Sequence, residues 1–450
     1  MGCDRQDSYA LRAERGHDTM ADSLSSLSFE SRWGRAVVSD QGDRTDLLIR
    51  ITASKPGGSQ PKRAPVDVAF VLDRSGSMGG EKIQVSKHAV DVALDQLQEQ
   101  DRATIVAFDD EISLLHQLAP ATMLNRIAMR ASLYRLDARG STDLGGGWLT
   151  GCQQLAAAES GRGDVRLKRA IVLTDGMANV GITDPGELAH HAGELRSRGI
   201  ATTTLGIGAG FDEFLLAEMA EAGGGNFEYL ASARQLVPFF SRELGELLAT
   251  VAANLTLTVT LPYGMRGTVL GNVPHTREGK TFTISLGDVT AGETIDLLLH
   301  LGTRDGAPGD LLPLAITARW TETERGTHGT WKGDQPPLMR VRAGEAAATP
   351  IDPMVQERTA LHRAADARRQ AMLLDRKGDH AGSRHMLRDA QTLLQAAPQT
   401  AGILHEMADL SAIADADATQ PLSEETRKQS VARSHRMGRG REARADETGS

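Results

Sequence analysis

Cysteine is nearly missing from this chain: Cys3 and Cys152 are the only two among 450 residues. Small secreted domains need several disulfides to compensate for an inadequate core, and one pair, with one member in a polar leader, cannot supply them. The expectation is two free thiols in a reducing, cytoplasmic setting. Long apolar runs are missing as well, since no window approaches the ~18 consecutive apolar residues of a membrane helix. The start, MGCDRQDSYALRAERGHDTMADS, carries charge from residue 4 onward, so neither a secretory signal nor a lipoprotein leader is read there. Gln6 also stands where a myristoylation start needs Ser or Thr. Residues 1–25 therefore read as a disordered leader to a soluble protein. A basic surplus is absent too: 50 Lys plus Arg against 59 Asp plus Glu gives −9, which argues against nucleic acid as a partner. No phosphate-binding Gly-rich loop, nucleophile elbow or zinc-ligand spacing occurs.

What is present suffices for two or three domains at roughly 100 to 200 residues each. Residues 27–53 hold two strand-like runs broken at Asp40-Gln41-Gly42-Asp43, which predicts a β-hairpin, and the Pro- and Gly-rich stretch to residue 64 reads as a linker. From 65 to 248 short apolar runs alternate with helical patterns: VDVAFVL (66–72), ATIVAF (103–108), ISLLHQL (112–118), AIVLT (170–174) and ATTTLGIG (201–208). Continuous apolarity means burial on both faces, as in a doubly wound α/β sheet. The second and third runs are joined too tightly for a crossover helix and predict an antiparallel edge. Residues 252–345 return to alternating strands at β-sandwich spacing, which the 27–53 hairpin is expected to complete. Residues 352–416 read as helices that resemble a single tetratricopeptide-type unit, and 420–450 as a basic, disordered tail.

The chemistry sits where strands end. The first run of the α/β region passes into Asp73-Arg74-Ser75-Gly76-Ser77, a later one into Thr174-Asp175-Gly176, and Gly140-Ser141-Thr142-Asp143 lies between them in a flexible loop that opens a helix. In open α/β sheets ligands bind beyond the carboxyl ends of strands, so these three loops predict one oxygen-rich site. Two carboxylates and three hydroxyls suit a hard cation such as Mg²⁺, which wants six oxygens and keeps several waters. With so little negative charge from the chain, such an ion would welcome an acidic group from outside.

This pattern resembles the metal-ion-dependent adhesion site of the von Willebrand factor A family: Asp73-x-Ser75-x-Ser77, then Thr142, then Thr174-Asp175-Gly176, with all five family positions filled. The resemblance implies direct coordination by Ser75, Ser77 and Thr142, water-mediated contacts from Asp73 and Asp175, and a sixth position for a partner's Asp or Glu. It covers about 180 residues. Within the family, LDRSGSM-GGEKI looks more like bacterial intracellular members. The expected cofactor is Mg²⁺, with Mn²⁺ or Ca²⁺ as substitutes; the expected partner is a protein, and no enzymatic activity is expected. The alternative is a Mg²⁺-dependent hydrolase or phosphotransferase on the same oxygens, against which no general base or phosphate-gripping lysine is seen beside the site. Other polar candidates read as structural: Asp109-Asp110-Glu111 as a charged hairpin turn, Asp143 as a helix cap or support, His190-His191 as surface or packing residues and Cys152 as core.

Overall fold

The computed structural model describes residues 25–55, 63–158 and 165–442. The leader expected over 1–25 therefore lies outside the described residues except for its last position, as do most of the linker and the last eight residues. The described chain starts with β1 (Leu27–Trp33), β2 (Val37–Ser39) and β3 (Arg44–Ala53). β1 and β3 pair antiparallel, Leu27 opposite Ala53, but not through the tight turn expected at 40–43. Their connection carries β2, which leaves the pair to join a strand near residue 340 in parallel.

The α/β region runs β4 (Val66–Asp73), α1 (Glu81–Gln96), β5 (Arg102–Phe108), β6 (Ile112–Pro120), α2 (Met123–Tyr134), α3 (Leu144–Ala157), β7 (Leu167–Thr174), α4 (Pro185–Ser197), β8 (Ile200–Ile207), α5 (Glu213–Gly223), β9 (Gly224–Leu230) and α6 (Leu236–Leu248). The sheet order is β6-β5-β4-β7-β8-β9, all parallel except the β6 edge, as the tight 103–118 connection predicts. All eight residues of β4 are buried because both faces are covered. Ala69 and Val71 pack on the side of Trp148, Leu188 and Leu216 from α3, α4 and α5; Val68, Phe70 and Leu72 pack on the side of Val90, Met129 and Phe240 from α1, α2 and α6. Glycine permits a close approach of α3 to β4: a Cβ on Gly151 would lie 2.7 Å from Val71 Cγ2. The strand order reverses direction between β4 and β7, so the crevice at their carboxyl ends is the place where this topology leaves room for a ligand.

The chain then continues through β10 (Thr250–Thr260), β11 (Met265–Leu270), β12 (His275–Glu278), β13 (Thr281–Thr290), β14 (Thr294–Thr303), β15 (Leu311–Leu312), β16 (Ala315–Glu322), β17 (His328–Lys332) and β18 (Leu338–Val341). One sheet is ordered β1-β3-β14-β11 and the other β12-β13-β10-β16-β17, while β2, β18 and β15 form a small third sheet. The two larger sheets share a core of Leu47, Ile49, Leu297 and Leu299 against Leu257, Val259, Ile284 and Ile316, which makes a β-sandwich. Thus β3, far back in the sequence, joins β1 to strands formed after residue 260 through its pairing with β14.

Helices α7 (Ala343–Ala348), α8 (Pro353–Arg376), α9 (His380–Gln395), α10 (Ala401–Ala414) and α11 (Glu424–Gly438) complete the described residues, with β19 (Arg441–Glu442) on β14. α8 covers the outer face of the β3-β14 sheet, where Val355 meets Leu48 and Leu298. The expectation of an unstructured tail beyond 420 does not hold for α11. Val431 and Ala432 are buried, and the basic residues are matched internally: Arg427 and Lys428 by Glu213, at 2.6 and 3.2 Å, and Arg433 by Glu406 at 2.9 Å. The acidic partners come from α5 and α10, so local composition alone could not reveal them. Among the described residues no helix is long and apolar enough to cross a membrane.

Candidate metal site

β4 delivers Asp73, and the chain turns at once, with the Ser75 amide donating to Asp73 Oδ1 at 2.7 Å. A short 3-10 turn over Gly76–Met78 follows, and Gly80, at φ +76°, leads into α1 without a side-chain cap. Ser77 is therefore not the cap of that helix. Its hydroxyl instead donates to Asp175 Oδ1 at 2.7 Å and lies 3.1 Å from Ser75 Oγ. The first loop is fixed to its neighbours by backbone bonds, Arg74 N to Phe108 O at 2.9 Å and Gly76 N to Gly140 O at 3.1 Å.

The Thr142 loop is clamped on both sides. Gly140 has φ +68°, a conformation that favours glycine, and a Cβ there would stand 1.8 Å from Asp110 Oδ1, so a larger residue would strain the backbone and displace that carboxylate. Ser141 donates its amide to that same carboxylate at 3.2 Å, and Asp143 donates its own to Asp109 O at 2.8 Å. The Thr142 amide donates to Asn179 Oδ1 at 2.9 Å, while its carbonyl accepts from the Asn179 and Val180 amides. Asp143 caps α3 by accepting from Gly146 N at 2.8 Å. The 109–111 segment is indeed the β5-β6 turn, yet it also carries the Thr142 loop.

The third loop ends β7. Thr174 donates its hydroxyl to Asp73 Oδ2 at 2.5 Å, tying the two strand ends together. Gly176 shows how tightly the loops converge: a Cβ on it would be 3.3 Å from Thr142 Oγ1, 3.6 Å from Ser77 Oγ and 3.9 Å from Asp73 Oδ2. Asp73, Ser75 and Ser77 from the first loop, Thr142 from the second and Asp175 from the third thus lie around one point. All but Ser77 are buried.

Electrostatically the site is under-compensated. Burial pushes the Asp73 carboxyl up to about 6, with the Thr174 and Ser75 hydrogen bonds opposing and the Asp175 charge adding to the rise. Beside it, burial alone would raise Asp109, but the Glu111 amide and the Arg74 and Arg139 guanidiniums outweigh it and hold that carboxyl low. Among the described residues no three His, Cys, Asp or Glu side chains gather as a metal cluster, so hydroxyls must complete any ligand set here. Oxygens of this kind fit a hard divalent ion and give a soft one nothing to hold.

One group was not foreseen. Lys82 Nζ lies 2.5 Å from Asp175 Oδ2 and 3.3 Å from Ser77 O, so a lysine does accompany the site, contrary to the sequence expectation. The signal was available: Lys82 is in the first turn of α1, and helical side chains lean toward the N-terminus, here back over the 73–80 loop. Further along α1, Lys87 is buried and donates to Tyr134 O.

Residues 67–242 match the family model of the von Willebrand factor type A domain, and the chain carries a domain of that family. Such domains generally serve as metal-dependent protein-interaction modules. The uncharacterized protein sll0103 of Synechocystis is 26% identical over 78% of this chain and 82% of the relative. The uncharacterized protein YfbK of Escherichia coli is 26% identical over 61% of this chain, which spans only 48% of that relative. Human inter-alpha-trypsin inhibitor heavy chain H4 is 31% identical over 42% of this chain, and this chain spans 21% of it. Among solved structures, a von Willebrand factor type A protein from Catenulispora acidiphila superposes with a TM-score of 0.72 at 19% identity, covering 93% of this chain and 97% of that one. The ArnB paralog VWA2 from Sulfolobus acidocaldarius gives 0.62 at 13%, covering 92% and 98%. At those identities the likeness is one of fold, and it extends over nearly the whole chain.

Proposed function

We propose that Asp73, Ser75, Ser77, Thr142 and Asp175 hold a divalent cation, Mg²⁺ first and Mn²⁺ or Ca²⁺ as substitutes, through which the protein binds an Asp or Glu of a protein partner. The observation that carries this reading is the convergence of three loops on one point with five oxygen-bearing side chains and only two carboxylates. The hydroxyls of Ser75, Ser77 and Thr142 are neutral donors, and Asp73 and Asp175 supply the charge, directly or through water. When bound, the ion supplies a Lewis-acidic position that a carboxylate from outside can fill. The α/β sheet and the Asp109–Asp110 turn hold the loops in place, so little ordering remains to be done on binding.

Isothermal titration of Mg²⁺, Mn²⁺ and Ca²⁺ into the full chain tests the metal half: saturable 1:1 binding is expected, and loss of it in Ser75→Ala plus Ser77→Ala. Titrating acetate or an acidic peptide into the loaded protein tests the other half, and affinity that survives chelation would sink it. Lys82 lends some support to a second reading, a Mg²⁺-dependent hydrolase, because an ammonium beside a cation site can grip a phosphate. Metal-dependent turnover of a phosphomonoester that disappears in Asp73→Ala would favour that reading over the first.

A further inference from the structure

Both oxygens of Asp175 are already engaged. Oδ1 accepts from the Ser77 hydroxyl and Oδ2 from Lys82 Nζ, which also donates to the Ser77 carbonyl. The ammonium therefore bridges the first and third loops, linking the same two segments that a bound cation would link. Asp175 is fully buried in this pair, whereas the lysine side chain is 37% exposed and covers it from the solvent side. A lysine ammonium is a compact, strongly hydrated charge on a flexible stem. It can withdraw into water by rotating that stem, without disturbing the helix that carries it.

We propose, building on the metal reading above, that Lys82 is a built-in competitor of the cation. With no ion present its ammonium neutralises Asp175 and holds the loops together; when an ion binds, Lys82 gives up at least part of that pairing. Two consequences follow from charge alone. The lysine weakens metal binding, because the ion must share a carboxylate with it and approach a like charge. It also leaves the loaded site more positive: Asp73 and Asp175 contribute −2, Lys82 +1 and a divalent ion +2, for a net +1. An acidic partner is then favoured by the ion and the freed ammonium together, and a neutral one is not.

Metal titration of the full chain in wild type, Lys82→Met, Lys82→Gln and Lys82→Arg tests this, with melting temperatures confirming that each variant folds. Mn²⁺ should bind Lys82→Met and Lys82→Gln about tenfold more tightly than wild type, the scale on which a unit charge acts on a divalent one across several ångströms of screened surroundings. Lys82→Arg, which keeps the charge, should stay close to wild type. Binding in Lys82→Met with none in wild type would be the extreme form of the same result. Equal or weaker binding in both uncharged variants would overturn the competitor role and make Lys82 a residue that positions Asp175. Absence of binding in every form would overturn the metal reading itself, a different failure.

Discussion

β4 has a buried aspartate at each end, and the two live in opposite circumstances. Asp67, near the start of the strand, is fully buried and paired with two guanidiniums, Arg102 at 2.6 Å and Arg166 at 2.7 Å. Burial alone would raise its carboxyl, but those two arginines outweigh burial and hold it low. Asp73, six residues on and equally buried, takes its hydrogen bonds from a threonine hydroxyl and a backbone amide, with Asp175 nearby, and is pushed up to about 6. At one end the fold matches a buried charge completely; at the other it leaves the charge short of a counterion. On the metal reading proposed above, the difference separates a structural aspartate from one that awaits a cation.

The largest effect that could break this comparison is on stability. Asp67→Asn leaves two arginines facing a neutral amide and should destabilise the protein by about 2–3 kcal/mol, moderated by their partial exposure. Asp73→Asn, in chelator, should cost less than about 1 kcal/mol, since it removes a poorly compensated charge, leaves the amide oxygen to accept from Ser75 N, and lets the Thr174 hydroxyl turn to accept from the new NH₂ instead of donating. Urea denaturation of both variants decides it; equal losses would mean that the two ends do not differ. The Asp67 term also has a definite pH dependence. Its folded carboxyl is held below the ordinary 3.8, so the unfolded chain takes up the proton first as pH falls. The gap between wild type and Asp67→Asn should hold from pH 7 to 5 and shrink below about 3.8 as pH falls through the folded value.

Next in size is the response to the ion. A ligand that binds only the folded state at a hundred times its Kd stabilises it by about 2.7 kcal/mol. Mg²⁺ at that level should raise the melting temperature of wild type and of Asp67→Asn alike, and leave Asp73→Asn unmoved. A shift in Asp73→Asn equal to that of wild type would place the ion elsewhere.

The same contrast shows what could be read from the residues. A doubly wound sheet was legible because runs such as VDVAFVL and AIVLT are apolar without alternation, and burial on both faces follows from that. The three loops were legible because each lies directly beyond an apolar strand or opens a helix. What stayed hidden depends on partners far along the chain. β2 leaves its hairpin because Val37 to Ser39 find β18, some 300 residues on. The tail folds because Lys428 meets Glu213 and the Phe211 carbonyl, and no local composition announces such an encounter. Lys82 went unread because a charge at the start of an amphipathic helix looks like a solvated one until the direction of the side chain is considered.

The smallest effect is expected at Gly176. Its φ lies outside the left-handed region, so alanine is tolerated by the backbone, and Gly176→Ala should change stability by less than about 0.5 kcal/mol. The new methyl would nevertheless sit 3.3 Å from Thr142 Oγ1, tighter than ordinary contact, and the clamped Thr142 backbone leaves the hydroxyl as the part that yields. A shift of a few tenths of an ångström matters little to packing but more to an ion that demands near-octahedral geometry. Mg²⁺ affinity should therefore fall by roughly threefold to tenfold, with Ca²⁺, whose geometry is looser, affected less. Titration of both ions into the variant gives the answer. If neither affinity changes, the Thr142 hydroxyl is not a ligand and the site must be drawn with four side chains instead of five.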